Sequence, residues 1–93
     1  MNIGRALKLC RSARRISLDA LAERTLLSQS YLSMIESNKR EPTLSTIGKI
    51  AKALEVPVPI VMFLAAEKDD LKGFDIETSS RLSIAAMNVI RAL

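Results

Sequence analysis

The chain has 93 residues, 48% of them hydrophobic and 26% charged, the balance of one small globular domain rather than of a disordered tail. It holds no histidine and a single cysteine, Cys10, which excludes an internal disulfide, a finger-type zinc site and any Ser-His or Cys-His dyad. With so few catalytic parts and so little wall for a pocket, no enzyme, metal site or cofactor is expected.

The net charge of +4 is unevenly spread. Residues 1–52 carry ten Lys and Arg against four Asp and Glu, a balance of +6; residues 53–93 carry four against six, a balance of −2. A basic front half points to a polyanionic partner. No apolar run is long enough to span a bilayer, and Arg5 and Lys8 interrupt the N-terminal apolar residues where a signal-peptide core would lie, so a cytoplasmic protein is expected.

In chain order, residues 2–15 predict a first helix, with Ile3, Leu7 and Cys10 in one apolar stripe. Cys10 reads as a small core residue. Ser17 is a good N-cap for a short second helix ending near Thr25, with Asp19 in its first turn and Ala20, Leu21 and the stem of Arg24 facing inward. Ser28 caps a third helix from Gln29 to about Ser37, burying Leu32 and Ile35, with Leu27 before the cap as a staple. Asn38 stands where a helix ends in a left-handed residue.

Lys39-Arg40-Glu41-Pro42 is a basic loop, and Thr43 caps a fourth helix bearing Leu44, Ile47, Ile50, Ala51 and Leu54. Pro57 and Pro59 introduce a fifth helix from about residue 59, with Val61, Met62 and Leu64. Lys68 to Thr78 is a polar connection containing Gly73, in which Phe74 and Ile76 alternate like a short extended stretch. Residues 79–93 predict a last helix whose stripe is Leu82, Ala85, Ala86, Val89, Ile90 and Leu93, widened by Ile84 and Met87. The fold class is all-α: a five-helix bundle over residues 1–66, a connecting segment 67–78 and an additional C-terminal helix 79–93.

Residues 17–37, two short helices around a brief turn, followed by a basic loop, have the layout of a helix-turn-helix, with Ala22 allowing close helix–helix approach. The segments IGRALKLCRSARRIS, LDALAERTLLSQSYLSMIESNKREPTL and IGKIAKALEVPVPIVMF, and above all Ser28 to Pro42, resemble the Cro/repressor-type (XRE-like) helix-turn-helix family. The resemblance spans about the first two thirds of the chain. It implies a repressor-like DNA-binding bundle that acts on double-stranded DNA as a dimer and regulates transcription.

By position in that family, Gln29, Ser30, Ser33 and Met34 would reach base edges, and Ser28, Tyr31, Asn38, Lys39 and Arg40 would contact phosphates, the last three through backbone amides and cationic ends. Gln29 suits bidentate pairing with adenine, and Met34 a thymine methyl or simply the shielding of the seam. Tyr31 serves equally as a phenol donor to phosphate or as a packing residue. Arg11 and Glu36 match a structural ion pair. The chain departs from the family at Leu18 (usually Gln), at Ala20, which removes the acid of a capping box, and at Arg15 and Leu26, both common glycine positions.

The apolar face of the last helix (Leu82, Ala85, Ala86, Val89, Ile90, Leu93) either dimerises or folds back on its own chain, and exchange between subunits would combine the two. A homodimer implies operator half-sites about 34 Å apart. The alternative is an antitoxin-like or adaptor module on the same fold, binding a second protein through its apolar tail.

Overall fold

A computed structural model describes residues 1–67, 70 and 76–92. Its regular structure is entirely helical: α1 Ile3–Ala13, α2 Leu18–Thr25, α3 Gln29–Glu36, α4 Leu44–Leu54, α5 Val58–Ala65 and α6 Ile76–Ala92. No described helix is long and apolar enough to cross a membrane.

Four helix starts are set by a side-chain oxygen accepting a backbone N–H that the helix itself cannot satisfy. Asn2 accepts from Arg5, Ser17 from Ala20, Ser28 from Tyr31 and Thr43 from Thr46. The start of α5 uses Pro57 as its N-cap and Pro59 in its first turn, where the missing N–H costs nothing.

The four turns joining α1 to α5 each contain one non-glycine residue in the left-handed region: Arg15 (φ 56°), Leu26 (φ 59°), Asn38 (φ 61°) and Glu55 (φ 57°). Only Asn38 is of a type that tolerates this conformation well.

The core is the shared floor of all six helices. Ala6, Leu7 and Cys10 of α1 meet Leu21, Leu32, Ile35, Ile50, Leu54 and Val61, all essentially without solvent contact. The first helix packs most extensively on α5, and α2 packs on both α3 and α4. Arg14, just past α1, fastens three elements: its Nε donates to the Leu54 carbonyl (3.0 Å), its Nη1 to that of Ile90 (3.5 Å), and its Nη2 to Glu55 Oε2 (2.8 Å).

Several expectations are revised. The first helix is Ile3–Ala13 rather than 2–15, because Arg15 turns left-handed. Leu44 opens α4 but is 70% exposed, since the first turn overhangs the core that Ile47 and Ile50 enter. Arg24 is exposed and caps the end of α4 through the Ala53 carbonyl (3.3 Å) instead of laying its stem inward. The last helix begins at Ile76, not 79, so Ile76 is helical rather than extended. Gly73, Phe74 and Leu93 lie outside the described residues.

The last helix rests on α1 and α5. Ala86 and Ile90 are buried in the common core, whereas Leu82, Ile84 and Val89 remain 40%, 61% and 47% exposed. The apolar stripe is thus divided: one edge folds back on its own chain and the other faces outward.

Candidate nucleic-acid interface

The face of α3 follows from which residues it buries. Leu32 and Ile35 enter the core, so Gln29, Ser30 and Ser33 face solvent, and Met34 is half-buried beside them. Ser28 is exposed at the cap, where its Oγ accepts the Tyr31 N–H at 3.0 Å. Tyr31 itself is half-buried against the core, so much of its ring is packing surface.

Asn38, Lys39 and Arg40 are exposed at the C-terminal end of α3. Their backbone N–H groups, expected to be open to phosphates, are already engaged. Asn38 donates to the Ile35 carbonyl (3.1 Å), and Lys39 (2.8 Å) and Arg40 (3.2 Å) both donate to that of Met34. They close the end of α3, because its last carbonyls have no partners within the helix. What the loop offers a polyanion is therefore the two cationic side chains, not a nest of amides.

The turn before α3 depends on Thr25, which the sequence reading passed over. Its buried hydroxyl donates to the Leu21 carbonyl (2.7 Å) and accepts the Leu27 N–H (3.3 Å). These two bonds bracket Leu26 and hold it left-handed while its side chain is 88% exposed. The only sequence signal was a lone Thr at the end of a helix, a place where hydroxyls bond back to backbone.

Arg11 and Glu36 form a bidentate pair, Nε to Oε2 at 2.7 Å and Nη2 to Oε1 at 2.9 Å, with side chains 16% and 10% exposed. The Glu36 bond pushes the Arg11 pKa further up, more than burial lowers it. Arg11 Nη1 also donates to the Ile16 carbonyl (3.0 Å), so one side chain ties α1, the turn into α2 and the end of α3.

Two more residues fix α3 against α1, and neither was singled out in the sequence. A Cβ on Gly4 would collide with the Ile35 carbonyl and lie 2.6 Å from Asn38 Oδ1, so only glycine allows this approach. Asn2 Oδ1, besides capping α1, accepts from Asn38 Nδ2 at 2.9 Å. An isolated glycine inside a helical pattern was the one available hint.

An exposed polar helix face, seated by a short turn and followed by two exposed cationic side chains, is the geometry of a helix-turn-helix. A family model described as helix-turn-helix matches residues 7–61, more than half the chain, and the chain belongs to this Cro/repressor-type (XRE-like) family. It is 37% identical over 62 residues to the immunity repressor protein of Bacillus phage phi105, covering 67% of this chain and 43% of that protein. It is 47% identical over 51 residues to the HTH-type transcriptional regulator SutR of Escherichia coli (strain K12), covering 55% and 29%. An uncharacterized HTH-type transcriptional regulator of Mycobacterium tuberculosis is 37% identical over 51 residues, covering 55% and 36%. The chain thus spans less than half the length of each of these relatives.

Proposed function

We propose that the protein is a sequence-specific DNA-binding transcriptional regulator, a repressor acting as a homodimer on a two-fold operator in the cytoplasm. The supporting observation is the joint exposure of Gln29, Ser30 and Ser33 on one face of α3 with Lys39 and Arg40 at its end. In this reading residues 1–66 are the DNA-binding unit. Gln29, Ser30, Ser33 and Met34 read base edges in the major groove, Gln29 preferring adenine. The Ser28 and Tyr31 hydroxyls, the Asn38 side chain and the Lys39 and Arg40 cations hold phosphates, a division of labour common to such interfaces. Arg11, Glu36 and Gly4 set the pose of α3 without touching DNA.

Dimerisation falls to the outward edge of α6. Leu82, Ala85 and Val89 line an apolar trough of about 270 Å³ with Ile60 and Phe63 of α5. Ala86 and Ile90 hold α6 to its own chain, which favours docking of two folded subunits over exchange of the helix.

Operator selection followed by titration over a range of salt tests the reading. The double variant Lys39→Ala, Arg40→Ala is expected to weaken binding to all sequences and to lower the slope of log affinity against log salt by about 2, near 0.9 per lost phosphate contact. Gln29→Ala is expected to relax base preference at one position, worth about 1–3 kcal/mol. An unchanged salt slope would remove Lys39 and Arg40 from the interface. For the dimer, Val89→Asp is expected to convert the protein to a folded monomer in sedimentation. A protein that is monomeric before the change and captures no duplex at low salt points to the adaptor reading, in which the same trough receives a second protein.

A further inference from the structure

We infer a second binding site in the cleft between α1 and α6, for a small organic anion carrying an apolar body. The cleft is a hollow of about 550 Å³, a size suited to a small ligand. Leu9, Ala13 and Met87 give it an apolar floor, and Arg14, Arg15 and Arg91 line it with Ser12. A neighbouring hollow of about 250 Å³ shares Met87 and Arg91 and continues along α6 past Ser83 and Ile84. The polar end of a ligand would meet the arginines, and its apolar part would lie over Met87 toward Ile84.

Charge makes the choice of anion. Among the described residues no acidic side chain lines either hollow, and none is paired with Arg15 or Arg91, both of which are exposed. Arg14 is fixed by Leu54, Ile90 and Glu55, so the wall it forms is preorganised. Arg15, in the turn after α1, and Arg91, in the last turn of α6, bring like charges to one cleft, a repulsion that an anion between them would turn into two attractions. Arg15 sits at φ 56°, left-handed as Leu26 and Glu55 are in the other turns, where glycine would be unstrained, so Arg15→Gly removes the guanidinium without adding backbone strain. Occupancy would join α1 to α6 and steady the helix that carries the proposed dimer edge.

The site lies away from α3 and is tested without DNA, so its failure and that of the proposed regulator role are distinguishable. Octanoate is the probe, titrated into the full chain at constant ionic strength and followed by amide chemical shifts. Shifts at Leu9, Ser12, Arg15, Met87 and Arg91 are expected, with little response to octan-1-ol or to inorganic phosphate. Arg15→Gly, which suits the backbone, and Arg91→Ala are each expected to weaken octanoate binding about tenfold, as loss of a charged hydrogen bond would. Equal binding by phosphate, unchanged affinity in both variants, or shifts confined to the α3 face would overturn the assignment. So would a short DNA duplex that moves the same amides and displaces octanoate, because the cleft would then belong to the DNA footprint.

Discussion

Thr25 and Leu26 show how a single hydroxyl can hold an unfavourable backbone. A left-handed leucine costs roughly 1–2 kcal/mol, and 88% exposure means its side chain returns almost nothing by burial. Leu26→Gly is therefore expected to raise stability by up to about 1 kcal/mol, after the added freedom of the unfolded chain is subtracted. Thr25→Val keeps the shape but removes both bonds that bracket the turn, and should cost about 1–2 kcal/mol by leaving the part-buried Leu27 N–H without its acceptor. Urea denaturation of the two variants checks both signs.

Cys10 gives a prediction in pH. Burial pushes its thiol up to about 11 from an ordinary value near 9. Below pH 9 the thiol is protonated in both native and unfolded chains and stability is indifferent to it. Between pH 9 and 11 the unfolded chain ionises first, so stability should fall by about 1.4 kcal/mol per pH unit. Cys10→Ala should flatten that part of the alkaline decline, and the native thiol should resist alkylation at pH 8.

At the scale of elements, α1 and α3 meet at a place where a methyl group cannot fit. Gly4→Ala would normally favour a helix by roughly 0.5–1 kcal/mol. Here the Ile35 carbonyl occupies the site of the new Cβ, and overpacking of about 1–3 kcal/mol should prevail. A lower thermal midpoint with weakened DNA binding is expected, since α3 would be pushed off its seat.

Elements with caps were legible in the sequence. Ser17, Ser28 and Thr43 announced α2, α3 and α4 because the capping hydroxyl and the helical stripe are both local signals. The exposed face of α3 followed from the positions of Leu32 and Ile35. What stayed hidden was non-local: the clearance at Gly4, the Asn2–Asn38 bond, and the use of the loop amides to close α3. Each depends on where a second segment arrives, which no spacing within one segment records. Helix α6 illustrates the same limit. Its apolar stripe was plain, but which edge of it folds back could be seen only once α1 and α5 lay beneath Ala86 and Ile90.

On the scale of the whole molecule, the +6 balance of the front half and the −2 of the back half divide the chain electrostatically. Long-range attraction between the basic half and a polyanion would raise the encounter rate before any specific contact forms. The association rate with duplex DNA should accordingly fall steeply with ionic strength, while the dimer proposed to close through the apolar edge of α6 should hardly respond.

The family match ends at residue 61, yet Ile90 is wholly buried and its carbonyl receives Arg14. The shared unit is thus not self-sufficient here: part of its interior is upholstered by a segment from outside it. A chain that kept helices α1 to α5 and exchanged its tail would inherit a vacancy about the size of an isoleucine, worth roughly 2–3 kcal/mol of burial. Any replacement tail must bring a plug of that volume, so this one socket limits which C-terminal extensions can be grafted onto the domain.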